Sequence, residues 1–425
     1  MPLTEIVVGR DREDLEKYGK EGTVFLGKHI VGEGEEMHLT NPVHMDVARP
    51  HVMLICGKRG QGKSYTAAVM IEEMLQLPEN IRNNLSILVI DTAGIFWSLK
   101  NQNEQQFEEL NRWGLKPRGF DVSVYIPEGF RREFDRKGIP YDSVFSIKPS
   151  ELTVEDWSLA FGISLLEPMG ILLERVLKRL KGTDYSIHRI VREIERDQRA
   201  SKQEKEALEN RFISAADWGI FSDTGFEISE LLKPGKVSIM DVSLFSGLSE
   251  GWSVRSLFVG LLARRIFEVR TIARRKEEIS TIEGGAEREV PLTWMIIDEA
   301  HQFLPNGGTT AASDPLLTIV KQGRQPGIST VFITQRPNKL HEDAISQADI
   351  VLSHRLTAKP DLEALRNIMQ TYLLYDIEKY INALPRRKGA AIILDDNSER
   401  IYEMIVRPRL SWHAGGTPSA LEMRE

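Results

Sequence analysis

Short, largely apolar runs recur along the chain, several of them ending in or followed by a polar residue. They are Val52-Met53-Leu54-Ile55-Cys56, Leu85-Ser86-Ile87-Leu88-Val89-Ile90-Asp91, Val122-Ser123-Val124-Tyr125-Ile126, Val237-Ser238-Ile239-Met240-Asp241, Leu292-Thr293-Trp294-Met295-Ile296-Ile297, Ser329-Thr330-Val331-Phe332-Ile333 and Ile350-Val351-Leu352-Ser353-His354. Runs without polar alternation suit strands covered on both faces, so the pattern predicts an α/β fold with a mostly parallel central sheet. Between the first two runs, Ala67, Ala68, Met70, Ile71, Met74 and Leu75 mark the apolar face of a helix. From Glu151 to about Glu230 the rhythm turns helical, with Ile171, Leu172, Val176, Leu177 and Leu180 in one register and Ile187, Ile190, Val191 and Ile194 in another. The expected organisation is a small N-terminal β element (1–48) packed on the main domain, the first part of the core (49–150), a helical insertion (151–230), the second part of the core (231–410) and a tail (411–425). A long helix is expected from about Trp252 to Lys276, followed by an exposed loop from Glu277 to Glu289.

Composition narrows this picture little. The 425 residues are 41% hydrophobic and 28% charged, with a formal net charge of −7, as in ordinary soluble globular proteins. No run is long enough for a membrane span, and the N-terminus lacks the features of a secretion signal, so a cytoplasmic location without membrane association is expected. The single cysteine, Cys56, reads as a small core residue. The acidic balance argues against a uniformly basic surface, but not against positive charge confined to the channel of a ring.

The chemistry concentrates where apolar runs end. Gly57-Lys58-Arg59-Gly60-Gln61-Gly62-Lys63-Ser64 fits G-x-x-x-x-G-K-[ST] between a predicted strand and a predicted helix. Glycines let backbone N–H groups converge on phosphate oxygens, Lys63 reaches the β- and γ-phosphates, and the Ser64 hydroxyl ligates Mg²⁺ at the helix N-terminus. Asp298 and Glu299 follow the apolar run at Leu292, where the first is placed to hold the Mg²⁺ shell and the second to orient or deprotonate the attacking water. His301 reads as structural. Thr334 and Gln335, at another strand tip, are candidates for sensing the γ-phosphate. Arg324 and Arg355 are candidates for the extra positive charge a triphosphate transition state needs, supplied from a neighbouring subunit; each is equally readable as a surface or salt-bridged arginine. Arg264, Arg265, Arg270, Arg274, Arg275 and Lys276 on the long helix read as a solvated face partly paired with acids, with a DNA contact surface as the alternative.

The ordered set formed by Gly57 to Ser64 with Tyr65, Asp91 with Gly94, Asp298-Glu299-Ala300-His301, Gly323-Arg324, Thr334-Gln335-Arg336-Pro337 and Arg355-Leu356 with Asp361 resembles the HerA branch of the HerA/FtsK ATPases. The resemblance implies a RecA-like P-loop NTPase core, a homo-hexameric ring with ATP and Mg²⁺ between subunits, and translocation of double-stranded DNA. It further implies work with a nuclease of the NurA type or another effector in DNA end processing or anti-phage defence, and a C-terminal tail, here Ser411 to Thr417, reaching over a neighbouring subunit. Two departures stand out. Ile95 occupies a position where the family often carries an acid, and the N-terminal β-barrel of many relatives is shortened. Competing expectations are a ring scaffold with slow turnover, motivated by Ile95, and a coupling motor acting on protein. The loop Asn306 to Thr310 and the basic segment from Arg131 to Lys137 are candidates to line a DNA channel.

Overall fold

Runs of apolar side chains buried on both faces can be satisfied only inside a sheet with helices on either side. The computed structural model, which describes residues 5–32, 37–248, 250–285, 288–368 and 377–416, arranges them so. The strands are β1 (Ile6–Val8), β2 (Thr23–Val31), β3 (His38–Asp46), β4 (Val52–Cys56), β5 (Leu85–Asp91), β6 (Ser123–Pro127), β7 (Ser143–Phe145), β8 (Val237–Asp241), β9 (Leu292–Ile297), β10 (Ile328–Thr334), β11 (Ile350–His354), β12 (Ala390–Asp395) and β13 (Arg400–Val406). They form one sheet in the order β1-β3-β2-β13-β12-β11-β4-β10-β9-β5-β8-β6-β7. The stretch from β11 to β7 is parallel throughout. Antiparallel pairing begins where β12 joins β11 and continues through β13, β2 and β3.

Successive side chains of a strand point to opposite faces, and two separate cores result. Leu54, Leu88, Ile90, Met295, Ile297 and Phe332 lie on one face, packed with the helices of residues 154–216 and with the helix Gly251–Ile282. Met53, Ile55, Val89, Ile296, Val331 and Ile333 lie on the other, against the helix Lys63–Met74. The helical segment therefore covers one face of the sheet, with Trp157 and Phe212 fully buried within it.

The N-terminal strands do not form a separate packed element. β2 pairs with β13 and so extends the central sheet. The long helix also runs further than expected, to Ile282, because Arg270, fully buried, pairs with Glu277 at 3.0 Å and donates to the carbonyls of Val290 and Pro326. Its other cations are largely engaged: Arg264 with Asp156 at 2.7 Å, Arg265 with Glu151 at 2.5 Å, and Arg274 with Glu277 and Glu278. The paired-face reading of these arginines fits the structure better than a DNA surface.

The tail segment is also tied to its own chain. Residues 407–414 lie along the helix Lys63–Met74, where Glu72, completely buried, accepts from the Leu410 and Ser411 backbone N–H groups, each at 3.0 Å, and pairs with Arg407 at 2.9 Å. Trp412 N–H donates to the Asn101 carbonyl at 2.7 Å. Through Ala414 the hydrogen-bond partners of this segment lie in its own chain, and residues 417–425 of the expected tail lie outside the described residues. Breaking such a buried pair leaves an uncompensated charge, which holds the segment in place.

One polar cluster ties the antiparallel part to the parallel part. His51, buried just before β4, contacts Asp349 at 2.6 Å through Nδ1 and Asp46 at 3.1 Å through Nε2, while Arg10 pairs with Asp46 at 2.6 Å. Burial alone would depress the imidazole, but the two carboxylates override it and hold its pKa at about 9. The folded pKa lies above the unfolded value of 6.5, so the stabilisation is fully present below pH 6.5 and is lost as pH rises through about 9. Urea unfolding of the wild type should show this loss, up to about 3 kcal/mol, between pH 6 and 9.5. His51→Gln should lack that slope; equal slopes in the two proteins would refute the charged bridge.

Candidate nucleotide site

The register of the parallel strands brings the site together. Cys56 is opposite Thr334, Phe332 opposite Ile297, Ile297 opposite Ile90, and Asp91 opposite Asp241, so the carboxyl ends of β4, β10, β9, β5 and β8 form one edge. The loop 57–62 leaves β4 at that edge and the pair Asp298-Glu299 leaves β9, with the tip of β10 between them. Two strand spacings set the gap at roughly 10 Å, the scale of a phosphate chain with its metal.

The loop itself is shaped by close approach. A Cβ on Gly57 would come within 2.6 Å of the His354 Cβ, and Gly62 precedes the helix at φ +110, a conformation that other residues resist. Lys58 N–H donates to the Arg355 carbonyl at 3.0 Å and Gln61 N–H to the Lys58 carbonyl at 3.2 Å, while the side chains of Lys58 and Arg59, and Gly60, are exposed. Lys63 is buried, its ammonium 3.4 Å from the Lys58 carbonyl. Burial lowers its pKa, and Glu299 and Asp298 act against that shift, which places both acids in electrostatic reach of the lysine.

Asp298 is buried and accepts from the Thr92 hydroxyl at 2.9 Å; burial raises its pKa, opposed by Thr92, Lys63 and the Ser64 hydroxyl. A carboxylate and a hydroxyl side by side are hard oxygen donors, the kind Mg²⁺ takes while keeping its waters. The pKa of Glu299 is raised by burial and by Asp298, opposed by Lys63 and by the nearby Gln335 backbone N–H. Its backbone sits at φ +45, ψ +47, and Glu399 is the sole other non-glycine with positive φ among the described residues. Left-handed conformation in a glutamate costs energy that a glycine would not pay, and here it turns the chain sharply at the end of β9.

Other expected residues land elsewhere. Asp91 is not open to a ligand: its two oxygens accept four backbone N–H groups, from Ala93, Gly94, Ile95 and Phe96, at 2.8 to 3.1 Å, closing the turn after β5. The Tyr65 hydroxyl points away from the loop, donating to Gln106 at 2.9 Å and accepting from Arg409 N–H at 2.6 Å. Gln335 is half-buried at the tip of β10, and Arg355 leaves β11 on the same edge as the loop. Arg324, exposed, precedes β10 at the opposite edge, about 20 Å from the loop given the strand's seven residues. It does not reach the site of its own chain. The exposed loop 306–309 follows β9 on the nucleotide side. The helix Arg131–Lys137 follows β6, with Lys137 paired to Glu133 at 2.5 Å.

Two supporting residues escape a reading of the sequence. Thr92 orients Asp298, and its sole signal is a hydroxyl directly after a strand acid. His354 is fully buried beneath the loop: Nδ1–H donates to the Ala390 carbonyl and Nε2 accepts from the Thr66 hydroxyl, each at 2.9 Å. Burial pushes its pKa down to about 4, so it stays neutral with a fixed tautomer. A histidine closing an otherwise apolar strand was the available hint.

With this geometry in hand, similarity becomes informative. Residues 24–266, more than half of the chain, match the family described as the central domain of the helicase HerA. The chain belongs to the HerA central-domain family. The DNA double-strand break repair helicase HerA of Sulfurisphaera tokodaii is 22% identical over 343 residues, covering 79% of this chain and 60% of that protein. The HerA of Pyrococcus furiosus is 28% identical over 142 residues, 31% of this chain and 26% of that protein. The chain thus spans less than two thirds of the length of either relative. Among solved structures, VirB4 of Thermoanaerobacter pseudethanolicus superposes with a TM-score of 0.59 at 13% identity, over 91% of this chain and 96% of that one. The bacterial conjugative coupling protein TrwB superposes with a TM-score of 0.52 at 13% identity, over 93% and 96%. Both likenesses concern the fold, a RecA-like P-loop ATPase core shared by the HerA-family chain. No helix among the described residues is long and apolar enough to cross a membrane.

The strain at position 299 is directly measurable. Glu299→Gly should be more stable than Glu299→Ala by about 1 kcal/mol in chemical denaturation, because alanine keeps the Cβ and glycine does not. Equal stability would mean that the left-handed turn is not strained.

Proposed function

We propose that this chain is a Mg²⁺-dependent ATPase that moves double-stranded DNA as a homo-hexameric ring and works with a nuclease or another effector in DNA end processing. The observation that carries this reading is the meeting of Lys63, Asp298 and Glu299 at one edge of the sheet. The family and the names of the HerA relatives supply the DNA substrate and the link to break repair.

In this reading backbone N–H groups of the loop and Lys63 hold the β- and γ-phosphates. Ser64 and Asp298 would hold Mg²⁺, which when bound would supply positive charge against the phosphates. Glu299 orients the attacking water, and Gln335, one residue past the end of β10, registers loss of the γ-phosphate. Arg355 lies near the site of its own chain and Arg324 far from it, so Arg324 is the better candidate to complete a neighbour's site. Exposed segments on the nucleotide side, including the loop 306–309 and the helix from Arg131, face the DNA. Ile95, packed against the core where the resemblance leads one to expect an acid, favours a second reading, a ring with slow turnover that organises an effector.

ATP hydrolysis should rise on addition of linear duplex DNA and vanish in Lys63→Ala; a purified assembly whose hydrolysis ignores DNA favours the slow scaffold instead. Replacing Arg131, Arg132 and Lys137 together with glutamine should weaken DNA binding severalfold and flatten its salt dependence, with nucleotide affinity unchanged. Unaltered DNA affinity would remove that helix from the channel.

A further inference from the structure

The acid read as acting on water has a carboxylate oxygen left without a partner. Glu299 Oε2 is buried and has no hydrogen-bond partner. The group nearest to serving it is His301, whose Nδ1 lies 3.4 Å away, beyond an ordinary hydrogen bond. That same Nδ1 is 2.9 Å from the hydroxyl of Thr334, the last residue of β10, and the hydroxyl also accepts the Arg336 backbone N–H at 3.0 Å.

A neutral imidazole carries one N–H. Were it on Nε2, the Nδ1 lone pair would accept from the Thr334 hydroxyl but would also face the Glu299 carboxylate at 3.4 Å, which is repulsive. On Nδ1 it faces two acceptors, the Thr334 hydroxyl and the carboxylate, and at these distances it serves the threonine. Moving the ring by about 0.5 Å would reverse the choice. Thr334 immediately precedes Gln335 and lies opposite Cys56, the residue before the phosphate loop, so the group that now holds the proton sits at the strand tip beside that loop.

We propose that His301 is a positioning residue for Glu299: its Nδ1–H is held by Thr334 in the nucleotide-free chain and passes to the Glu299 carboxylate when the tip of β10 moves. This rests on the reading of Glu299 as the residue that orients water. The histidine then couples the sensor strand to the acid with no atom of its own touching the nucleotide. Burial, together with the nearby charges of Arg336 and Lys63, lowers its pKa to about 4 and keeps it uncharged throughout.

The test compares wild type with His301→Ala, His301→Asn and His301→Gln. Asparagine places an amide N–H near the position of Nδ1; glutamine places one near Nε2. Turnover, KM, affinity for a fluorescent ATP analogue and thermal unfolding are measured for each. The alanine variant should lose about tenfold in kcat with KM and analogue affinity within twofold of wild type. Asparagine should restore kcat to within about threefold, and glutamine should not. Undiminished turnover in the alanine variant, or an asparagine variant as slow as alanine, overturns the proposal.

A second measurement is independent of turnover. In the ¹⁵N-labelled nucleotide-free chain, the ring signals lost in His301→Asn should be those of the Nδ1–H tautomer; an Nε2–H tautomer overturns the proposal. Lys63→Ala and Glu299→Gln in the same hydrolysis assay separate the two levels. If neither slows hydrolysis, the reading of the nucleotide site fails and the role of His301 falls with it; if both slow it while His301→Ala does not, the proposal alone fails.

Discussion

Everything at the nucleotide edge depends on the hydrogen-bond register of four adjacent parallel strands, β4, β10, β9 and β5. Because Cys56, Thr334 and Ile297 are fixed relative to one another by ladder bonds, the loop that follows the first and the acids that follow the last have no freedom to drift apart. A slip of one residue in β9 would turn Asp298 and Glu299 to the opposite faces of the sheet. The two cores protect against such a slip, since it would also exchange Met295 and Ile297 with Trp294 and Ile296, whose volumes and neighbours differ.

Around that edge the chain surrounds the phosphate loop with fixed polar groups. His354 lies beneath it, Thr92 behind Asp298, and the segment 407–414 is locked to the first helix through Glu72. Each is buried and hydrogen-bonded, so its geometry is set before a ligand arrives, and the ordering cost is met in folding rather than in binding. The helix after the loop is consequently held from both sides: its N-terminus by β11 through His354, its remaining turns by the tail through Glu72 and Glu73.

How much of this was legible follows from what each residue contacts. The parallel strands were readable because neighbours such as Leu88 and Val89, or Met295 and Ile296, are buried on opposite faces and leave no polar alternation. The loop and Asp298 were readable because their chemistry demands particular residue types at fixed spacing. Residues whose partners are distant in sequence were not. Ala390–Asp395 and Arg400–Val406 are apolar enough for strands, but nothing local says that they run antiparallel and draw β2 into the main sheet. The end of the long helix depends on Arg270 meeting Glu277, Val290 and Pro326, contacts that a periodicity cannot contain. Tyr65 and Asp91 sit inside a recognisable pattern, yet their polar atoms are consumed by Arg409 and by a turn. Position within a motif fixes the backbone neighbourhood, whereas the direction of the side chain is settled by packing.

The charge balance of the site points beyond the single chain. A buried and a half-buried acid face one buried lysine, and burial shifts all three toward neutrality, so the crevice favours added positive charge. A nucleotide brings several negative charges and its metal two positive ones, and the transition state concentrates negative charge further on the transferred group. Within the described residues Arg355 stands at the right edge, while Arg324 stands at the wrong one, exposed and without an acid bound to it. An arginine in that position gains nothing from its own site and costs little to present outward, which suits a cation offered to the next subunit. In the proposed ring the nucleotide edge of one chain would meet the opposite edge of the next, a head-to-tail contact of the kind that either closes into a ring or continues as a filament.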